Sequence, residues 1–114
     1  MDNETNIVVR ESGDKCIVLL DTQNVDFRNC ETIKSSVANL VNTGKTHLIL
    51  GLEKVSFMDS SGLSVLLFCK RTCEEAQGSF TMFGLQSYVN NLVTLTNLNK
   101  SIEIFESESD ALKV

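Results

Sequence analysis

The sequence lacks an excess of basic residues. Ten lysines and arginines stand against fifteen aspartates and glutamates, which gives a formal net charge of -5. Holding a phosphate backbone requires clustered positive charge that releases counterions. We therefore do not expect nucleic acid to be a direct partner. Proline is absent as well, but its absence points to no particular function.

No apolar run is long enough to cross a membrane. The longest nearly unbroken run covers residues 63–69 and is interrupted by Ser64. A membrane-spanning helix needs about 20 apolar residues. Residues 1–10 also lack the basic and apolar regions of a signal peptide. These features predict a soluble, cytoplasmic protein without direct membrane insertion.

Histidine is nearly absent, which limits metal binding. His47 is the only one, and the spacings of the four cysteines match no zinc pattern. In a reducing cytosol a free cysteine behaves as a small, buried apolar residue. We therefore expect no metal or other cofactor, and we expect free thiols at Cys16, Cys30, Cys69 and Cys73. Another role stays open only for Cys69 and Cys73, which are one helical turn apart.

The length and overall composition of the chain are typical of one globular domain. A chain of 114 residues allows one hydrophobic core but not two. The apolar fraction of 42% and the charged fraction of 22% lie near globular averages. No linker or internal repeat interrupts the chain. We therefore predict a single domain over residues 1–114.

The apolar pattern alternates between the periods of strands and helices. Short apolar runs, separated by a Glu-Ser-Gly-Asp turn, predict an initial hairpin. The predicted strands are residues 7–9, 15–20, 46–52, 80–83 and 102–105, and the predicted helices are 24–42, 61–77, 87–96 and 107–112. This order predicts an α/β domain with a mixed, mostly parallel sheet of about five strands and about four helices.

The segment between strand 46–52 and the next helix holds the candidate site. Open α/β sheets bind ligands at the carboxyl ends of their strands. Asp59, Ser60 and Ser61 lie there, directly before Gly62. One of these carboxylate or hydroxyl groups is well placed to cap backbone N–H groups of the helix. From spacing alone, capping is the more common role of such residues.

Phosphorylation of a serine in this segment is a second interpretation. It would add a charge of about -1.5 to -2 at a helix start, where backbone N–H groups favour anions. The fold would tolerate that charge, whereas a protein docked on the loop would not tolerate it equally. Phosphorylation would then regulate binding without unfolding the domain.

The residues 57–63, which read FMDSSGL, resemble the signature of STAS domains of the anti-sigma factor antagonist family. The resemblance covers nearly the whole chain. It includes Leu-Asp-Thr at residues 20–22 and Gly-Leu-Gln at residues 84–86. It implies a single STAS-like domain.

The resemblance also implies a site. The second serine of the Asp-Ser-Ser-Gly run is the family's phosphoacceptor, which carries over to Ser61. Asp59, Ser60 and Gly62 adjoin it in the partner-binding loop. A family aspartate that follows an early strand matches Asp21, which by this analogy lies near the loop and helps to shape the partner surface. Before that aspartate this chain has Val-Leu-Leu, where the family often has Gly-Glu-Leu.

The function implied by the resemblance is that of an anti-sigma factor antagonist. Such a protein binds an anti-sigma factor that is also a serine kinase, and phosphorylation of Ser61 would release it. The kinase would carry the ATP, and a serine phosphatase would remove the phosphate. The chain itself would not be an enzyme.

Three other functions are weaker. A serine hydrolase is disfavoured because no Gly-x-Ser-x-Gly motif surrounds Ser61, and because His47 should lie at the opposite end of its strand. A nucleotide-binding regulatory module is known among STAS domains, but no P-loop is present here. A stand-alone STAS domain also occurs as a subunit of membrane-associated transport complexes, and a pull-down would identify that role.

Overall fold

The computed structural model describes residues 6–113, which form seven strands, four α-helices and one short 3-10 turn. The strands are β1 (Asn6–Ser12), β2 (Lys15–Asp21), β3 (Asn24–Val25), β4 (His47–Gly51), β5 (Phe57–Met58), β6 (Ser79–Phe83) and β7 (Glu103–Phe105). The helices are α1 (Cys30–Asn42), α2 (Ser60–Glu75), α3 (Ser87–Leu95) and α4 (Glu108–Leu112), and the 3-10 turn is Leu98–Lys100. Residues 1–5 and Val114 of the predicted domain 1–114 lie outside the described residues. Residues 1–5 are half of the segment that was considered for a signal peptide.

The main sheet has the strand order β1-β2-β4-β6-β7. β1 and β2 are antiparallel, and the other neighbouring strands are parallel. The predicted hairpin, the mixed and mostly parallel sheet of five strands, and the four helices are therefore confirmed.

The two faces of the sheet carry different layers, because successive side chains of a strand point to opposite sides. On β2, Cys16, Val18 and Leu20 belong to a large core that includes residues of α1 and α2. Ile17 belongs to a smaller cluster with Ala111 of α4. Helix α4 therefore covers the opposite face of the sheet from α1 and α2.

A second, two-stranded sheet of β3 and β5 positions the candidate site. The two strands are parallel, with Asn24 opposite Phe57 and Val25 opposite Met58. The prediction of a helix over residues 24–42 is wrong at its start, because α1 begins at Cys30. The apolar spacing that indicated a helix begins only at Cys30, and Asn24 and Val25 pair with β5 instead.

A turn over residues 26–29 separates β3 from α1. The backbone N–H of Asp26 donates to Oδ1 of Asn29 over 3.0 Å, and the backbone N–H of Arg28 donates to Oδ1 of Asp26 over 2.9 Å. Both side chains that accept these bonds are buried. Short polar side chains that bond the nearby backbone favour turns over helix, so the helix starts only after Asn29.

The carboxylate of Asp26 makes this turn sensitive to acid. The Arg28 guanidinium donates to both of its oxygens, with Nη2 to Oδ2 at 2.7 Å. This contact lowers the pKa of Asp26 below its ordinary value, although burial opposes the shift. A carboxylate with a lowered folded-state pKa adds stability that is complete above its ordinary value of about 4 and is lost as the pH falls through the folded value.

We therefore expect Asp26→Asn to reduce the free energy of unfolding by about 1 kcal/mol at neutral pH. The difference from the wild type should shrink in strong acid, where Asp26 is protonated in both the folded and unfolded states. Urea unfolding of the two proteins across this pH range measures the difference. If the two proteins differed in free energy of unfolding by the same amount at every pH, the stabilisation would not come from the ionised carboxylate of Asp26.

Candidate functional site

The first turn of α2 is capped by Asp59. Its Oδ1 accepts from the backbone N–H of Ser61 over 2.8 Å and of Gly62 over 3.1 Å. The backbone of Asp59 is extended, as is usual for an N-cap residue. The spacing left open which side chain of the segment forms the cap, and the structure assigns this role to the carboxylate.

The two serines of the turn therefore keep their hydroxyls for other contacts. Ser60 is exposed and Ser61 is half-buried. Neither hydroxyl makes a hydrogen bond in the part of the chain that the structure describes, although the Ser61 carbonyl accepts from Oγ of Ser64. Both hydroxyls are free to meet a partner or a modifying enzyme at the carboxyl end of the strands.

Gly62 allows α2 to approach β3 closely. It is buried, and a Cβ added there would lie 2.5 Å from the carbonyl oxygen of Val25 and would overlap the Met58 side chain. The backbone N–H of Asp59 also donates to the same Val25 oxygen, over 3.4 Å. The turn that carries Ser61 is thus held directly against the end of β3.

Asp21 does not join this cluster. It ends β2 and is exposed, and its ion pair is with Nζ of Lys54, 3.8 Å from Oδ1. Within residues 6–113 it makes no hydrogen bond or ion pair with residues 59–62. The structure therefore brings Asp59, Ser60, Ser61 and Gly62 together in one turn. The role of Asp21 in the partner surface stays a prediction.

Several residues near the site were not singled out by sequence reasoning. Phe57 of β5 stacks on Tyr88 of α3, with ring centroids 5.4 Å apart, and both rings are substantially exposed. Phe27, next to the Arg28 side chain, is 72% exposed. No local pattern could reveal these neighbours, because Tyr88 is 31 residues from Phe57 in the chain, and Phe27 is brought to this end of the sheet by the pairing of β3 with β5.

The four cysteines are free and buried, as predicted. Burial raises the pKa of the Cys69 thiol, and it raises that of Cys73 to about 11. A protonated, buried thiol is neither a good nucleophile nor a good metal ligand. No group of three or more potential metal-ligating side chains occurs among the residues that the structure describes.

His47 lies far along the sheet from the site. It begins β4, and its Nδ1 is 2.9 Å from Oγ of Ser79, which begins β6. Ser61 follows the carboxyl ends of the strands, so the predicted separation of His47 from Ser61 agrees with the structure. A Ser–His pair at Ser61 is therefore absent. Among the described residues, no helix combines the length and apolar character that spanning a bilayer requires.

The chain resembles known proteins in sequence and in fold. A Thermotoga maritima protein provisionally named an anti-sigma factor antagonist is 24% identical over 101 residues, which cover 88% of this chain and 89% of that protein. The anti-sigma F factor antagonist of Paenibacillus polymyxa is 32% identical over 66 residues, which cover 58% of this chain and 56% of that protein.

A solved structure extends this comparison. The Bacillus cell fate determinant SpoIIAA in its phosphorylated form matches with a TM-score of 0.73 at 20% identity, covering 95% of this chain and 97% of that one. This similarity supports the same fold. A family model described as the STAS domain matches residues 6–111. The chain therefore belongs to the STAS domain family.

Proposed function

We propose that this chain is a cytoplasmic anti-sigma factor antagonist whose binding to an anti-sigma factor is abolished by phosphorylation of Ser61. The partner in this proposal is a serine kinase that brings its own ATP, and a serine phosphatase restores binding. The chain contributes a binding surface and no catalytic step. Two relatives named as anti-sigma factor antagonists support the proposal.

The observation that carries the proposal is the cap formed by Asp59. Its carboxylate already accepts from the N–H groups of Ser61 and Gly62. Sequence reasoning assumed that such N–H groups would accommodate a phosphate. Because an anion already occupies them, a phosphate on Ser61 adds its charge beside an existing negative charge. A protein that covers the turn would have to bury this added charge, which suits a modification that blocks binding.

The surroundings of the turn suit a protein partner. The stacked rings of Phe57 and Tyr88 remain about half exposed. Exposed aromatic side chains are enriched among the residues that contribute most to binding at protein interfaces. Because Phe57 belongs to the strand that leads into the Ser61 turn, this pair and the hydroxyl would form one surface that combines affinity with regulation.

The proposal is tested by phosphorylation with the cognate kinase. The chain would be used as bait in a pull-down, and the recovered kinase would be incubated with the chain and ATP before mass spectrometry. We expect one phosphate on Ser61, its loss in Ser61→Ala and its retention in Ser60→Ala. Phosphate on another residue, or recovery of transporter subunits without a kinase, would contradict the proposal.

A further inference from the structure

Most backbone donors at the start of α2 are already engaged before any phosphate is added to Ser61. Two N–H groups of the first turn are bonded to the Asp59 carboxylate, and that of Leu63 is bonded to the Asp59 carbonyl oxygen over 3.0 Å. A doubly charged group placed beside Asp59 is repelled by that carboxylate, and a basic side chain within reach would offset the repulsion. The basic groups near this turn therefore decide how the phosphate is held.

The pairing of β3 with β5 brings Arg28 to this turn. Val25 lies opposite Met58, and the residues that follow them are Asp26 and Asp59. The Val25 carbonyl oxygen accepts from the backbone N–H of Asp59. The Arg28 guanidinium folds back onto Asp26, so it lies on the β3 side of the same strand ends. Its pKa is raised mainly by Asp26 and to a smaller extent by Asp59.

The guanidinium has capacity for a second anion. Its hydrogen bonds within the described residues come from Nε and Nη2 and all go to Asp26, which leaves Nη1 available. The side chain is about half exposed, at 49%, whereas that of Asp26 is at 7%. Arginine presents its donors in a planar fork that can bridge two oxyanions. Arg28 can therefore keep its hydrogen bonds to Asp26 and still offer donors toward solvent.

We infer that Arg28 binds the phosphoryl group of phosphorylated Ser61 and is shared between that group and the buried Asp26 carboxylate. This inference rests on the proposed phosphorylation of Ser61. Arg28 would stabilise the modified loop and couple it to the turn over residues 26–29. Because that turn also carries the exposed Phe27 ring, the phosphate would alter the partner surface on two sides of Ser61.

The experiment separates this inference from the proposed function by installing phosphoserine at position 61 during translation, without any kinase. The pKa of the phosphate is then measured by phosphorus NMR in the wild-type background and in Arg28→Gln. A neighbouring cation favours the dianion, so we expect the pKa to rise by about one unit when Arg28 is replaced. Arg28→Lys, which keeps the charge, should retain part of the effect.

Two other cations serve as controls. Lys45 is paired with Glu11 over 2.9 Å and lies before β4, at the opposite end of the sheet, so Lys45→Gln should leave the phosphate titration unchanged. Lys54 is paired with Asp21 at the same end of the sheet as the site. A shift in Lys54→Gln but none in Arg28→Gln would overturn the inference.

A second measurement needs no variant. In nitrogen-labelled protein, the Nε–H signal of Arg28 should move between unmodified and phosphorylated chains and should titrate with the phosphate. An unchanged signal would overturn the inference, even if Arg28→Gln failed to fold. Failure of a kinase to modify Ser61 would contradict the proposed function while leaving these results intact.

Discussion

Ser61→Asp will bind the anti-sigma partner about 100-fold more weakly than the unmodified chain, and Ser61→Ala will bind at least as tightly. Ser61 is half-buried in a turn that already holds the Asp59 carboxylate. A second carboxylate there must be desolvated beside a like charge when the partner docks, and such juxtapositions cost several kcal/mol. A 100-fold loss corresponds to about 2.8 kcal/mol. Titration calorimetry with the purified partner measures it.

The control is the same charge change at a remote serine. Ser109 is exposed and lies in α4, which covers the opposite face of the sheet from α2. Ser109→Asp should bind normally, and all three variants should unfold at nearly the wild-type temperature. Equal weakening by Ser109→Asp would indicate that net charge, and not the position of the charge, controls binding.

The main sheet could be predicted from the sequence because its elements are long enough to show a period. The run from Lys15 to Leu20 and the run from Leu48 to Leu50 are buried strands with apolar side chains at nearly every position. Helix α2 differs from its prediction by one or two residues at each end. The end of α2 depends on two neighbouring residues. The residue in the left-handed conformation is Gln77, whereas Gly78 is required because a Cβ there would overlap the Thr46 carbonyl.

The sheet of β3 and β5 could not be predicted in the same way. Each strand has two residues, too few for any period to appear. Their pairing joins residues that are 33 positions apart in the chain, as in the register of Asn24 with Phe57. That pairing brings the turn that carries Arg28 and the turn that carries Ser61 to the same strand ends.

The candidate turn could be located from the sequence, but its internal arrangement could not. Asp59, Ser60 and Ser61 are all good capping residues. Which of them caps depends on where β5 ends, and β5 ends at Met58 because Val25 is its last partner. The choice of Ser61 over Ser60 came from family resemblance. The structure adds that Ser61 is the more buried of the two.

Gly62→Ala should lower the free energy of unfolding by about 2 kcal/mol. Helix propensity alone would predict the opposite, an increase of about 1 kcal/mol. The added Cβ would lie 2.5 Å from the Val25 carbonyl oxygen and would overlap Met58. Relief requires α2 to move away from β3, which disturbs the packing beneath the Ser61 turn. For a domain of this size, that loss lowers the midpoint of thermal unfolding by about 10 °C. Ser60→Ala, an exposed change in the same turn, should leave the midpoint unchanged or raise it.

A double variant shows which of the two contacts makes glycine necessary at position 62. The Met58 side chain is flexible and can move, whereas the Val25 carbonyl oxygen is fixed by the pairing of β3 with β5. In a Met58→Ala background, Gly62→Ala should therefore remain destabilising, although less so than in the wild type. If Met58→Ala removed the whole effect, the constraint would lie in side-chain packing. If the effect persists, the close approach of the α2 backbone to β3 is what requires glycine beside Ser61.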